Sequence, residues 1–172
     1  MVFSILRTIG HRLRPRPRLT CEARVWSQLL SELRDRGGGY REAGAFLLGV
    51  RHADGRRSIK AFLPYDDVDP ACLRGAIVFD GSRMDAVWRR CEAAGLSVVA
   101  DVHTHPGGYG QSQTDQQHPM IPERGHVALI IPNFADRLYR PGEIGVYEFR
   151  GRDGWRDHSR QGAAVVRLEE PA

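Results

Sequence analysis

The sequence predicts an α/β (α+β) three-layer sandwich, a mixed β-sheet flanked by helices. Three observations point to it. Apolar runs of strand length are interleaved with two amphipathic helical patterns, the arrangement of a sheet covered on both faces. The chain has 172 residues, roughly one domain's worth. Hydrophobic residues make up 41% and charged residues 27%, a globular mix with enough apolar material for a core. No run approaches the ~18 consecutive apolar residues of a membrane span, so a transmembrane segment is not expected, and neither a collagen-like nor a wholly disordered chain fits.

The net charge of +4 is unevenly placed. Residues 1–18 hold Arg7, Arg12, Arg14, Arg16 and Arg18 and no acid; without them 20 basic residues face 21 acidic ones. Residues 1–18 are therefore read as a basic N-terminal arm and residues 19–172 as the folded domain. A specific nucleic-acid binder would carry its charge on a folded face, so no specific nucleic-acid partner is expected. The arm suits a flexible tail, an added edge strand or a weak membrane-surface anchor. Its opening apolar residues are few and lead to no small-residue cleavage site, which argues against a signal peptide and for a cytoplasmic location. Cys21, Cys72 and Cys91 are odd in number and lack Cys-x-x-Cys spacing, which argues against a disulfide scaffold or an all-cysteine zinc site.

Each element then follows in order. Val25, Trp26, Leu29, Leu30 and Leu33 recur at helical spacing from Ala23 to about Arg36, and Gly37 to Gly39 stop that helix. Ala45 to Val50 is a buried strand; Asp54-Gly55 turns the chain into a hairpin partner over Ser58 to Tyr65. Ala76 to Phe79 is a further strand. Ser82-x-x-Asp85 reads as a capping box opening a second helix, with Met84, Val87, Trp88 and Cys91 on its core face and Gly95 as its C-cap. That assigns Cys91 to packing rather than to catalysis. Leu96 to Thr104 is apolar on both faces, so central in the sheet. His126 to Pro132, Ile144 to Arg150 and Ala163 to Leu168 complete the strands.

The informative stretch is His103-Thr-His105-Pro-Gly-Gly-Tyr-Gly-Gln-Ser112-Gln-Thr-Asp115. Histidines two apart on a strand point to one face and can share a metal. Pro106-Gly-Gly turns the chain back, and Asp115 is the only acid between Asp101 and Glu123. Two histidines, a carboxylate and an open position for water make a catalytic zinc constellation. A His-x-His pair alone is more often surface or core; here the turn, the spaced serine and the sole local acid favour the metal. His118 reads as a loop histidine, and His11, His52 and His158 as surface.

These residues resemble the JAB/MPN domain with its JAMM zinc motif, a metalloprotease class that includes deubiquitinases. The pattern is Glu … His-x-His-Pro … Ser-x-x-Asp, and Glu42-Ala-Gly44-Ala-Phe-Leu-Leu-Gly49 supplies its upstream half. The resemblance covers roughly Leu19 to Arg150; the interval from His105 to Ser112 is about one residue shorter than in many members. It implies one zinc ion per chain held by His103, His105 and Asp115. Glu42 would act as general base on a zinc-bound water and then deliver the proton to the leaving amine, and Ser112 would donate to the developing oxyanion. The bland alternative for Glu42 is a buried carboxylate capping backbone. Gly107 and Gly108, with Gly110, would form a small-residue rim for an extended tail ending in glycine. The implied activity is an isopeptidase or peptidase cutting the amide after the C-terminal glycine of a ubiquitin-like protein, in the manner of prokaryotic conjugation systems. Partners would be that protein, its conjugates and cognate E1/E2-like enzymes. The competing readings are a small-peptide zinc hydrolase on the same fold and a non-catalytic MPN scaffold.

Overall fold

The computed structural model describes residues 18–170. Most of the arm, with His11, lies outside them. Arg18 is already part of the fold: its amide donates to Val165 and its carbonyl accepts from Arg57.

The chain runs β1 (Leu19–Glu22), α1 (Ala23–Gly37), β2 (Gly44–Arg51), β3 (Arg57–Pro64), β4 (Leu73–Arg74), β5 (Ala76–Ile77), α2 (Met84–Ala94), β6 (Ser97–Thr104), α3 (Gln113–Gln117), β7 (Val127–Ile131), β8 (Gly145–Phe149), β9 (Trp155–Asp157), α4 (Gly162–Val165) and β10 (Val166–Glu169). Eight strands form one sheet in the order β10-β1-β3-β2-β6-β7-β8-β9, and β4 and β5 make a separate small hairpin. The sheet is mixed: β1 is parallel to β10 and β3, and β6 is parallel to β7, while the other pairs are antiparallel.

Two cores sandwich the sheet, as the interleaved pattern predicts. Alternation along β2 sends Ala45 and Leu47 into a cluster with Trp26, Leu29 and Leu33 of α1. It sends Phe46 and Leu48 to the opposite cluster with Val87 and Cys91 of α2. Trp26 is buried with its indole N–H donating to the Tyr139 carbonyl at 2.8 Å, satisfying the polar handle of a large core residue. Gly38 and Gly95 end α1 and α2 in the left-handed conformation, where glycine carries no Cβ penalty. β6 is central and almost wholly buried, as its two-sided apolar run predicts. A bulge opposite Leu47 and Leu48 shifts its register, so that Asp101 pairs with Phe46 and His103 with Gly44, on the α2 side.

Several expectations are corrected. The Ser82-x-x-Asp85 capping box does not form: Asp80 accepts the Ser82 amide instead, and α2 begins at Met84 without a side-chain cap. Asp80 comes first in the chain and can close an Asx turn two residues on, which occupies the Ser82 amide. Trp88 is 45% exposed rather than in the core, because the α2 interface is narrow and only Val87 and Cys91 are buried in it. Ala76 to Phe79 contains only the two-residue strand β5. Ala163 to Leu168 divides into the turn of α4 and strand β10. Tyr65, placed at the end of a strand, opens a 3-10 turn over Tyr65–Asp67. The three cysteines are free and buried, and burial raises the Cys91 thiol pKa, as a packing role requires.

Candidate metal centre

The end of β6 carries His103, and the chain continues through His105 into an exposed loop and then α3. Ser112 caps α3: its hydroxyl accepts the Asp115 amide at 3.2 Å, and the Asp115 carboxylate accepts the Ser112 amide at 2.6 Å. This reciprocal capping box points the Asp115 carboxylate back towards the histidines. His103 Nε2 lies 3.3 Å from one Asp115 oxygen, and His105 Nε2 lies 3.2 Å from the other. The two Nε2 atoms are 2.9 Å apart. All three ligand atoms fall within 4.8 Å of one another, the one such group of histidine, cysteine or acidic side chains among the described residues. Ligands about 2.0–2.1 Å from a shared tetrahedral ion stand on the order of 3.4 Å apart. Each nitrogen meets that with a different Asp115 oxygen, and the two nitrogens would need to spread by a few tenths of an ångström. The donor set of two imidazoles and a carboxylate suits a divalent metal.

Electrostatics follow from the same contacts. Burial by itself favours neutral His103, but the hydrogen bond and charge of Asp115 outweigh it and hold the histidine above its ordinary pKa. Burial likewise pushes Asp115 up, yet hydrogen bonds from His103, His105 and the Ser112 amide hold the carboxyl well below the usual range.

Glu42 is brought to the same place by Thr104, which sits between the histidines. The Thr104 amide donates to the Ala43 carbonyl at 2.9 Å, and the Ala43 amide donates to the Thr104 hydroxyl at 3.0 Å. Glu42 is half-buried, and its carboxylate accepts the Ile77 amide at 3.4 Å. It lines a cleft of about 460 Å³ with His103 and Asp115. The lining also includes the apolar residues Ile77, Val78, Phe79, Met84 and Met120. Gly44 beside Glu42 admits no side chain, because a Cβ there would overlap the Tyr65 ring. Gly107 and Gly108 are exposed and line no part of the cleft; a Cβ on either, or on Gly110, would meet open space. Ser112 is exposed at the head of α3.

Sequence reasoning missed the cleft floor. His126 donates from Nε2 to Asp101 at 2.6 Å, and the Tyr65 hydroxyl donates to the other Asp101 oxygen at 3.2 Å. Burial, with Asp101 beside it, raises the Tyr65 pKa well above the ordinary value. Alternation could have found Asp101, two residues before His103 on one face; no local signal marks His126 or Tyr65. His158, read as surface, is mostly buried and bonded to Glu148 at 3.0 Å. The reason is that Glu148 comes from β8, a neighbour the local sequence does not reveal. His52 is exposed as expected, and His118 is an exposed residue on the cleft, apart from the ligand group.

The strand end is also held from β7. The His105 amide donates to Ile131, and its carbonyl accepts the Phe134 amide at 2.8 Å; the Asn133 amide donates to the Gly107 carbonyl at 2.9 Å. Asn133, Phe134 and Ala135 all have positive φ, 51°, 53° and 56°. For residues with a Cβ the left-handed helical conformation costs roughly 1–2 kcal/mol each.

No protein-family model matches the chain. The chain is similar to solved structures that speak for the fold. Protein DSY2949 of Desulfitobacterium hafniense aligns with a TM-score of 0.64 and 17% identity, covering 89% of this chain and 94% of that one. A protein of Salinibacter ruber aligns with a TM-score of 0.54 and 20% identity, covering 87% and 92%. In sequence, the chain is 29% identical over 63 residues to "Probable metalloprotease y4jG" of Sinorhizobium fredii (strain NBRC 101917 / NGR234). That match spans 37% of this chain and 39% of the relative, a partial similarity to a protein named as a metalloprotease.

Proposed function

We propose that this chain is a zinc-dependent peptidase or isopeptidase of the JAB/MPN type, cutting the amide after the C-terminal glycine of a ubiquitin-like protein. The convergence of His103, His105 and Asp115 at one point beside Glu42 carries the reading. Similarity to a protein named as a metalloprotease supports the hydrolytic, metal-dependent part of it.

In this reading His103, His105 and Asp115 hold zinc, one ion per chain. Zinc there supplies Lewis acidity, polarising the scissile carbonyl and lowering the pKa of a water to about 7. Glu42 accepts the proton of the attacking water and passes it to the departing amine nitrogen, so that one carboxylate serves as base and then as acid. Its weak contact with the Ile77 amide leaves its oxygens available for that exchange. The Ser112 hydroxyl accepts from the Asp115 amide and keeps its own hydrogen to donate to the developing oxyanion. The apolar lining residues Ile77, Phe79, Met84 and Met120 limit water around the reacting carbonyl. Gly107 and Gly108, outside the cleft lining and clear of other atoms, leave the loop after His105 open to an extended glycine tail. The partners are a ubiquitin-like protein, its conjugates and cognate E1/E2-like enzymes of a prokaryotic pathway.

The test is metal content of the purified chain by elemental analysis, followed by hydrolysis of ubiquitin-like–peptide fusions with and without chelator. About one zinc per chain and chelator-sensitive cleavage at the glycine are expected. No metal after zinc is resupplied under reducing conditions would overturn the reading. Cleavage of short apolar peptides alone would keep the zinc chemistry and replace the substrate.

A further inference from the structure

Three consecutive residues with a Cβ in the left-handed helical region are unusual, because non-glycine residues enter that region as single positions rather than as a turn. Asparagine tolerates it better than most; Phe134 and Ala135 do not. Such strain persists only where the surroundings over-determine it, and it gathers where a precise geometry is needed.

Both conditions are met between Asn133 and Ala135. Tyr139 anchors the turn: its hydroxyl accepts from the Asn133 side chain at 2.9 Å and donates to Asp136 at 2.6 Å, while its carbonyl accepts the buried Trp26 indole. Ala135 is buried in the α1-side core. Asn133 is exposed and Phe134 half-buried, so core packing of these two side chains does not account for their backbone conformation. What the conformation achieves is the aim of two amides. Phe134 donates to the carbonyl of His105, and Asn133 donates to the carbonyl of Gly107. The amide of His105 is already bonded to Ile131, so His105 is held at both its backbone groups.

We propose that the left-handed turn Asn133–Ala135 is a positioning clamp that holds the strand end bearing His105, and the Gly107 turn after it, in the one conformation that presents His105 to the ligand group. The clamp rests on the reading of His103, His105 and Asp115 as metal ligands. These positions act through backbone amides, so their side chains can be exchanged for others that accept or resist a left-handed backbone. Phe134→Gly and Phe134→Asn accept it; Phe134→Val, β-branched, resists it.

The experiment uses the full chain and two readouts. Amide hydrogen exchange by NMR on the metal-free protein reports the order of the strand end through the His105 amide and of the turn through the amides of residues 133–135. Chelator competition with zinc reports affinity. In the native chain the Asn133 and Phe134 amides should exchange as slowly as those of β7. Phe134→Val should speed exchange of the His105 amide, leave α1 and β2 protected, and weaken zinc about tenfold or more, the loss typical of an outer support of a metal ligand. Phe134→Gly and Phe134→Asn should restore both. Free exchange of the two amides in the native chain would overturn the clamp even if the valine variant did not fold. So would a valine variant with native protection of the His105 amide and native zinc affinity. If the native chain takes up no zinc, the metal reading fails, while exchange of the His105 amide still decides whether the turn holds the strand end.

Discussion

Two histidine–carboxylate clusters lie along the same face of β6 and have opposite characters. In the first, Tyr65, Asp101 and His126 close on one another: both Asp101 oxygens are taken, and the His126 and Asp101 side chains are 0% and 4% exposed. In the second, His103, His105 and Asp115 are 13%, 10% and 20% exposed, and His103 and Asp115 line the cleft. The residue types are nearly the same. What separates them is direction. His126 spends its Nε2 on one buried carboxylate, whereas two imidazole nitrogens and a carboxylate gather within 4.8 Å of one another at partly exposed positions. The first closes on itself; the second is a group of side chains that could hold a metal ion.

The largest expected effect falls on the open cluster. His103→Ala should take metal content from about one ion per chain to near zero with the fold retained, read by elemental analysis and circular dichroism. Retained metal would erase the distinction between the clusters. Next, Glu42→Gln should keep the metal and lower turnover roughly 10²–10⁴-fold, the usual contribution of general acid–base catalysis. Unchanged turnover would remove Glu42 from the proton path.

The closed cluster should answer in stability instead. Asp101→Ala leaves the His126 Nε2–H and the Tyr65 hydroxyl without acceptors, each costing about 1–3 kcal/mol when buried. Chemical denaturation should read that loss. A smaller penalty, about 0.5–2 kcal/mol, is expected for Ser112→Ala, which removes the cap of α3. Because that cap also aims Asp115, zinc affinity should fall with it.

A third histidine–carboxylate contact, His158 with Glu148, serves as the control. Burial pushes Glu148 up, but His158, Arg18 and Arg150 outweigh it and lower its pKa from 4.5 to about 2. A carboxyl depressed on folding stabilises the protein above its unfolded pKa. That stability is therefore full above about pH 4.5 and lost as pH falls towards 2. Glu148→Gln should flatten the stability curve in that window and leave metal binding at neutral pH untouched.

Much of this was legible in the residues themselves. The helical spacing of Trp26, Leu29 and Leu33, the glycine stops and the alternation of Phe46 with Leu47 are periodicities of a single element, and they survive in the fold. His103, His105 and Asp115 were legible for a similar reason, since strand parity brings the histidines to one face and a loop brings the carboxylate back; Glu42 and Ser112 were singled out only by the resemblance to the JAB/MPN motif. The two Ser-x-x-Asp motifs were not distinguishable locally. One forms the capping box at Ser112, and the other is displaced by Asp80. β1 and β9, four and three residues long, carry too few positions to show a period.

The sequence by itself determined the layers, the elements around β6 and the identity of the candidate ligands, because each depends on spacing within one segment. Only the tertiary structure decided that His126 is sealed against Asp101, that Trp88 faces solvent, that Thr104 ties Glu42 to the histidines, and that a left-handed turn holds His105. Each of these depends on which distant backbone or side chain arrives to satisfy a polar group or cover an apolar one, and that is settled by packing rather than by the local pattern.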